Sequence, residues 1–548
     1  MLFTRNDNSI TNLYVGREFF DGGQRRIMQP QGPKTLPGVL AQAAAVYGGS
    51  IAIEEGSQRL SFAELKARVD QAAAAFVASG VTVGDRVAIW GPNAASWIIA
   101  ALGAQSAGAA IVPLNTRLKG REAAYILRRS GARILCHSGR FMGIDFVELL
   151  RDQSLPELHE LIELESTAWA NFFLRATPQT ALEVTTRLAK QQPQDLADVM
   201  FTSGTTGAPK GVMASHGQNV RVFSEWSAIV GLGPQDRYLI VNPFFHVFGY
   251  KAGWLSCLLT GATILPMAIF DAAEVIRRIA ADRISVLPGP PTVFQSMLAR
   301  PALDRASTSS LRLAVTGAAN VPISLIERMR DELGFETVIT GYGLTESTGT
   351  VSMCRSGDDP QTVAQSCGAP LPGVEVKVVD DSGRELPRGC EGELWVRGYN
   401  VMQGYFDDPE ATAAAVDREG WLHTGDIGTM DSCDYLRITD RKRDMFITGG
   451  FNCYPAEIES LISAHPAVAQ VAVIGIADER LGEVAAAYVV LRPAAQLEPA
   501  DLIAWCRDNM ANYKVPRRVH LVDHLPTTAS GKVQRYALRD AHGGPRKA

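Results

Sequence analysis

Apolar and polar positions follow two different periods along this chain. Between Leu36 and about Pro288, stretches with helical spacing, such as residues 61–79, are separated by short apolar runs at 87–90, 111–113, 134–136, 238–241 and 264–266. Short apolar runs between amphipathic helices are the pattern of parallel strands covered on both faces. A further unit follows, with a strand predicted at 311–315 and a helix at 321–333. After about Gly368, runs at 374–379, 392–397 and 435–439 are separated by Gly, Pro and Asp turns, which predicts a small β-rich subdomain. Beyond Asp444 a helix (455–463), two strands (468–475 and 485–491), a helix (499–510) and a strand (518–522) predict a compact α+β module. The expected fold class is α/β. A large N-terminal domain of two doubly wound βαβ sheets plus a small β-rich subdomain precedes a small α+β C-terminal domain, with the boundary at 439–444. No internal repeat or low-complexity tract interrupts this order.

The 548 residues are too many for one ordinary domain. Apolar residues at 46%, charged residues at 20% and a net charge of −5 leave no basic excess to point to nucleic acid or an anionic membrane. The longest apolar stretch, 87–112, is broken by Pro92, Asn93, Gln105 and several glycines, so a buried core explains it better than a membrane span. Residues 1–32 are polar and lack the apolar core of a signal peptide. The eight cysteines are scattered, with no C-x-x-C pair, which argues against a zinc site or a disulfide framework and for reduced thiols in a cytoplasm.

One loop changes the picture. Residues 202–211 read Thr-Ser-Gly-Thr-Thr-Gly-Ala-Pro-Lys-Gly between two strand-like runs. Glycines let the backbone turn its N–H groups toward a polyanion, the hydroxyls of Ser203, Thr205 and Thr206 add donors, and Lys210 adds charge. It is not a Walker A loop. Pro209 stands where that motif has glycine, and Gly211 rather than Ser or Thr follows the lysine.

Further motifs follow in order. Gly341-Tyr342-Gly343-Leu344-Thr345-Glu346 offers an aromatic face for a base and a carboxylate for a hard cation. Thr424-Gly425-Asp426 follows Trp421, and Asp440-Arg441-Lys442-Arg443-Asp444 lies on the domain boundary. Gly449-Gly450-Phe451-Asn452 follows an apolar strand, and Pro526-Thr-Thr-Ala-Ser-Gly531-Lys532 lies near the C-terminus. His246 sits in Asn242-Pro-Phe-Phe-His-Val-Phe-Gly-Tyr250, and Gly317-Ala318-Ala319 ends the 311–315 strand unit. Taken singly, each has an ordinary alternative: a turn carboxylate, a solvated charge run, a tight glycine turn, a packed histidine.

Together they resemble the adenylate-forming superfamily of acyl-CoA synthetases, adenylation domains and luciferases, over residues 36–539. The resemblance implies an N-terminal extension (1–35), an AMP-binding adenylation domain (36–440), a hinge (441–443) and a mobile C-terminal domain (444–548). It implies that Thr202, Ser203, Gly204, Thr205, Thr206, Gly207 and Lys210 hold the ATP phosphates. Gly341 and Tyr342 would lie against the adenine, Thr345 near the α-phosphate, Glu346 on Mg2+, and Asp426 and Arg441 at the ribose. Lys532 would be the adenylating lysine. Arg443 stands at the hinge, where the family usually has Lys or Asp; the charge of Lys is kept, its hydrogen-bonding geometry is not. His246, Phe248, Tyr250, Gly317 and Ala318 would shape the acyl pocket, together with Phe244, Phe245 and Val247. Gly449 and Gly450 would let the CoA arm pass.

The implied activity is AMP-forming ligation of a hydrophobic acid to CoA, with ATP, CoA and Mg2+ as co-reactants. Residues 242–253 and 287–292 look like those of bacterial steroid-catabolism ligases acting on an indanedione propanoate, with fatty and aryl acids as neighbouring alternatives. A carrier protein in place of CoA, or an inactive binding protein of the same fold, are the competing readings. The partners expected are a small carboxylic acid and a protein acetyltransferase acting on Lys532, with a homodimer left open. Nucleic acid and stable membrane insertion are not expected.

Overall fold

The computed structural model describes residues 18–21, 24–27, 32–203, 208–300, 305–317, 321, 323–380, 382–441, 446–453, 455–492, 495–526, 535 and 538–539. The helices begin where the chain supplies a cap. Ser61 caps Phe62–Ala78 in a reciprocal box with Glu64, and Ser215 does the same for His216–Val230 with Gln218.

The first sheet has seven strands in the order Glu160–Glu163, Ile134–His137, Arg86–Trp90, Ala110–Leu114, Leu196–Ser203, Pro209–Ser215 and Gly404–Tyr405. The first five are parallel and the last two antiparallel. A second layer is built from two four-stranded halves. One runs Arg237–Ile240, Thr263–Pro266, Ile51–Glu55, Gln58–Ser61; the other runs Leu313–Gly317, Thr337–Tyr342, Ser352–Met353, Ala369–Pro370. Val286 joins them by bridging in parallel to Tyr238 and Leu313. The edge hairpin Ile51–Glu55/Gln58–Ser61 is absent from the sequence expectation.

The β-rich subdomain is an antiparallel sheet of Glu375–Val379, Gly392–Arg397, Leu422–Met430 and Leu436–Arg441. Its last strand runs through Arg441, so the residue expected to open the hinge is paired in the sheet, opposite Asp426. Residues 442–445, including Arg443, lie outside the described part.

The C-terminal unit has a five-stranded sheet and its own apolar cores on the two faces of that sheet. The helix Pro455–Ser463 lies where the pattern places it. The strands Val468–Asp478 and Gly482–Leu491 extend beyond the expected ends, because their hairpin ladder continues through polar pairs such as Ala477–Glu483. The helix Ala95–Ser106, in the most apolar stretch, is buried along its whole length. Among the described residues no helix is long and apolar enough to cross a membrane.

A charge pair lies where the layers of the large domain meet. Asp198, in the strand Leu196–Ser203, receives Lys251 Nζ at 3.0 Å, with both side chains only 1% exposed. Asn219 Nδ2 donates to Asp198 at 2.6 Å, and Gln105 Nε2 donates to the Tyr250 hydroxyl at 3.0 Å and to the Ala197 carbonyl. Burial pulls the Lys251 pKa down while Asp198 opposes the shift. Removing one member of such a pair strands a charge in low dielectric. Lys251→Met is therefore expected to lower unfolding stability by about 3–5 kcal/mol. The double variant Asp198→Asn/Lys251→Met should lose clearly less in urea titrations; equal losses would show that the pair is not coupled.

Candidate active site

The hydroxyl-rich loop is the end of a β-hairpin. Thr202 lies opposite Lys210 and Ser203 opposite Pro209 in the antiparallel pair Leu196–Ser203/Pro209–Ser215. Pro209 opens its strand, a position where the missing N–H is tolerated. Residues 204–207, and with them the expectations for Gly204, Thr205, Thr206 and Gly207, lie outside the described part, as does the Ser203 side chain. Lys210 Nζ lies 5.0 Å from the centre of the Tyr405 ring. The Tyr405 hydroxyl in turn donates to Glu346 Oε1 at 2.9 Å. Tyr405 thus connects Lys210 of the hydroxyl-rich loop to the carboxylate expected to bind a metal. Sequence reasoning missed it, because it sits in a two-residue edge strand that only long-range pairing with Val212–Met213 defines.

The second motif forms the end of a strand and a tight turn. Gly341 pairs in parallel with Gly317, so two expected site positions lie side by side. Ala318 and Ala319 lie outside the described residues. Thr345–Ser347 makes a single 3-10 turn, closed by Leu344 N donating to Ser347 Oγ at 2.9 Å. Tyr342 and Asp426, 84 residues apart, meet directly: the Tyr342 hydroxyl donates to Asp426 Oδ2 at 2.6 Å, with both side chains buried. The Thr424 hydroxyl accepts from Asp426 N and donates to the Leu394 carbonyl, fixing the T-G-D turn. Only the backbone of Arg441 is described, in register with Asp426.

The 240–244 turn, next to the residues expected to shape an acyl pocket, is pinned by two buried asparagines. Asn93 Nδ2 donates to the carbonyls of Ile240 and Asn242, and its Oδ1 accepts from Phe244 N. Asn242 Nδ2 donates to the Pro288 carbonyl at 3.1 Å. Asn93, an interruption in an apolar run by sequence, thus holds the 240–244 turn against the 287–292 segment. His246 caps the short helix Val247–Gly249 through Nδ1, which accepts from Phe248 N at 3.2 Å. The ring remains open on one side yet is enclosed by protein, and desolvation pushes its pKa down to about 4. With Nδ1 accepting, the proton sits on Nε2. Val247 fills the space that a side chain on Gly349 would need, so this loop packs against the 341–349 segment. Phe248 is half-buried. Tyr250 is fully buried and stacked on Trp254 at 4.7 Å, and Phe244 is likewise in the core against Trp97. From Tyr250 to Leu255 the backbone forms a π-helical stretch.

Gly449 and Gly450 form the two-residue turn of the hairpin Phe446–Thr448/Phe451–Cys453, with φ of 56° and 85°. Two successive positive φ values require glycine or its few substitutes. A Cβ on Gly450 would meet Pro290 Cγ at 3.5 Å, so the turn lies directly against the 287–292 segment of the large domain. Lys532 lies outside the described residues. Among the described residues no group of three or more His, Cys, Asp and Glu side chains could hold a metal ion. Glu346 fits one hard cation only as a single carboxylate supplementing ligand phosphates.

Residues 40–406 match the AMP-binding enzyme family and residues 457–532 its C-terminal domain. The chain belongs to this family. It is 47% identical over 519 residues to a 3-[(3aS,4S,7aS)-7a-methyl-1,5-dioxo-octahydro-1H-inden-4-yl]propanoyl:CoA ligase of Rhodococcus jostii (strain RHA1), covering 93% of this chain and 99% of the relative. It is 48% identical over 512 residues to the ligase of that name from Mycobacterium tuberculosis (strain ATCC 25618 / H37Rv), covering 92% and 99%. Among solved structures, a double mutant of o-succinylbenzoate CoA synthetase from Bacillus subtilis, bound with a product analogue, superposes with a TM-score of 0.76 at 31% identity, covering 92% of this chain and 98% of that one. The match spans most of the chain, so both domains of this family enzyme have counterparts in a CoA synthetase of known structure.

His246 offers a direct check of the acyl end. Its folded pKa of about 4 lies below the ordinary value of about 6.5. Protonation therefore works against the fold, and that loss sets in as pH falls from about 6.5 towards 4. NMR of the His246 ring should show no titration between pH 5.5 and 8. A midpoint above 6 would place the ring in water instead.

Proposed function

We propose that this enzyme activates a hydrophobic carboxylic acid with ATP and passes the acyl group to CoA, with a fused-ring, steroid-derived propanoate as the first candidate acid. The observation that carries the reading is that the 341–346 segment reaches Tyr405, beside Lys210, through Glu346 and reaches Asp426 through Tyr342, while the Gly449–Gly450 turn lies against the 287–292 segment. The likeness to the two indanedione-propanoate ligases supports the choice of acid. A medium- or long-chain fatty acid and an aryl acid are the alternatives, since Phe245 and Phe248 offer apolar surface to any of them.

In the first half-reaction the substrate carboxylate attacks the α-phosphorus of ATP and pyrophosphate leaves. Two anions must meet, so neutralising charge and holding the reactants in line dominate the barrier. Thr202 to Lys210 would hold the phosphates, Thr345 the α-phosphate, Tyr342 the adenine face, and Asp426 with Arg441 the ribose hydroxyls. Glu346 would hold Mg2+, which when bound supplies charge neutralisation on the phosphates. Lys532 would bridge the carboxylate and α-phosphate oxygens as charge develops. In the second half-reaction a CoA thiol attacks the acyl carbonyl and AMP departs. A thiol pKa of about 8.5 leaves enough thiolate near neutrality without a dedicated base. The lowered pKa of His246 makes it a weak base, and we read it as shaping the pocket. Arg443 would be the hinge on which the C-terminal domain turns between steps. The free state of all eight thiols fits a cytoplasmic enzyme.

Lys532→Ala is expected to lower ATP–pyrophosphate exchange by about 100-fold or more while sparing thioester formation from supplied acyl-adenylate. Equal losses would refute this division of labour. Lys532 closes a P-x-x-x-x-G-K sequence, the form protein acetyltransferases modify in related synthetases, and acetylation removes its charge. Acetylated protein should lose adenylation to the same extent. For the acid, CoA-dependent AMP release across a panel should give the bicyclic propanoate the highest kcat/KM. A fatty or aryl acid preferred tenfold would replace it. Holo-carrier protein outcompeting CoA would move the enzyme to the other acceptor class.

A further inference from the structure

The C-terminal domain is seated on the large domain by a buried charge cluster. Lys514 is 3% exposed, and its Nζ lies 2.8 Å from Glu122 Oε1 and 2.7 Å from Glu457 Oε1. Glu122 belongs to the large domain, in the helix Gly120–Ser130; Glu457 belongs to the helix Pro455–Ser463 beside Lys514 in the small domain. Glu122 is itself fixed, because its other oxygen accepts from Lys119 N at 2.8 Å. Burial opposes the lysine charge, but Tyr513, Glu457 and Glu122 together raise its pKa well above the ordinary value, so it stays an ammonium.

The contact continues from this cluster to the glycine turn. Tyr513 receives a hydrogen bond from Asn115 Nδ2 at 3.5 Å and stacks on Phe451 at 4.6 Å. The Arg117 guanidinium lies 4.7 Å above Phe451, which directly follows Gly450. Gly450 lies against Pro290. One seat therefore fixes both the ion cluster and the position of the turn beside the acyl end.

We propose that Lys514 and Glu122 are positioning residues for the acyl-transfer half-reaction: their ion pair holds the C-terminal domain in the orientation that sets Gly449–Gly450 against the acyl site. This rests on the CoA-ligase reading. Neither residue touches the reacting atoms; each acts through the placement of the turn. On the same reading Lys532, in the C-terminal part of the sequence, serves adenylation from another orientation of the small domain, so loss of this seat does not impede that step. Within the closed seat Lys514 is shared between two carboxylates. Removing it leaves Glu122 and Glu457 facing each other across the interface, where like charges repel.

The full-length variants Glu122→Gln and Lys514→Met test this by separating the half-reactions. ATP–pyrophosphate exchange with the preferred acid should stay within about twofold of the parent enzyme. Thioester formation from supplied acyl-adenylate and CoA in single turnover should fall at least tenfold, in kcat rather than in the KM for CoA. Retained exchange shows that the variants fold. Transfer unchanged in both variants, or equal losses in the two half-reactions, overturns the proposal while leaving the CoA reading intact. If the parent enzyme itself forms no thioester with CoA, the underlying reading fails, and the proposal with it.

Discussion

A carboxylate cannot remain charged in a dry interior without a cation beside it, and the large domain is assembled around that requirement. Asp198 stands in the central strand Leu196–Ser203, which leads into the hydroxyl-rich 202–211 segment, and Lys251 reaches it from the π-helical stretch Tyr250–Leu255. Gln105 and Asn219 complete the cluster from two further helices, and Tyr250 from the same π-helical stretch as Lys251. Apolar packing alone would tolerate small slips between these layers. A buried ion pair with directional hydrogen bonds tolerates far less, because misplacement leaves a charge unsatisfied. The strand Leu196–Ser203 and the helical stretch Tyr250–Leu255 are thereby held in one register.

The same economy appears at the nucleotide end. The Tyr342–Asp426 hydrogen bond joins the second layer to the β-rich subdomain, and Tyr405 joins the first sheet to the turn that carries Glu346. Three sheets thus meet through side chains of the 341–346 and T-G-D motifs and Tyr405. Side chains that hold sheets together cannot wander, and that rigidity is what positioning catalysis needs.

Much of the fold was legible because period and punctuation agree. Residues 455–463 begin with proline at a helix start and carry helical apolar spacing, and the helix lies there. The runs at 87–90, 134–136 and 264–266 are short, apolar and bounded by turns, and each is a buried strand. The hairpin at 51–61 is local, with Glu55 opposite Gln58 across a Gly-Ser turn, but its mixed charged and apolar run hides the strand period. Gly404–Tyr405 was not legible, because it is a strand only through pairing with Pro209–Ser215. Arg441 read as a linker residue because a charged run looks solvated, whereas its backbone is held by the strand of Asp426. The chemistry-bearing motifs were visible as residue types. Their structural supports, Asn93, Asn242 and Tyr405, were not, because one asparagine or tyrosine carries no spacing to detect.

The glycine turn at 449–450 serves two masters. Its positive φ angles close a hairpin, and the same turn rests against Pro290 of the large domain. The backbone that closes the hairpin therefore also sets the spacing to the neighbouring segment, and the two cannot be adjusted separately. Pro290 is free of this constraint, since it only precedes the helix Pro291–Leu298. A change of spacing between the two segments is open from the proline side and closed from the glycine side.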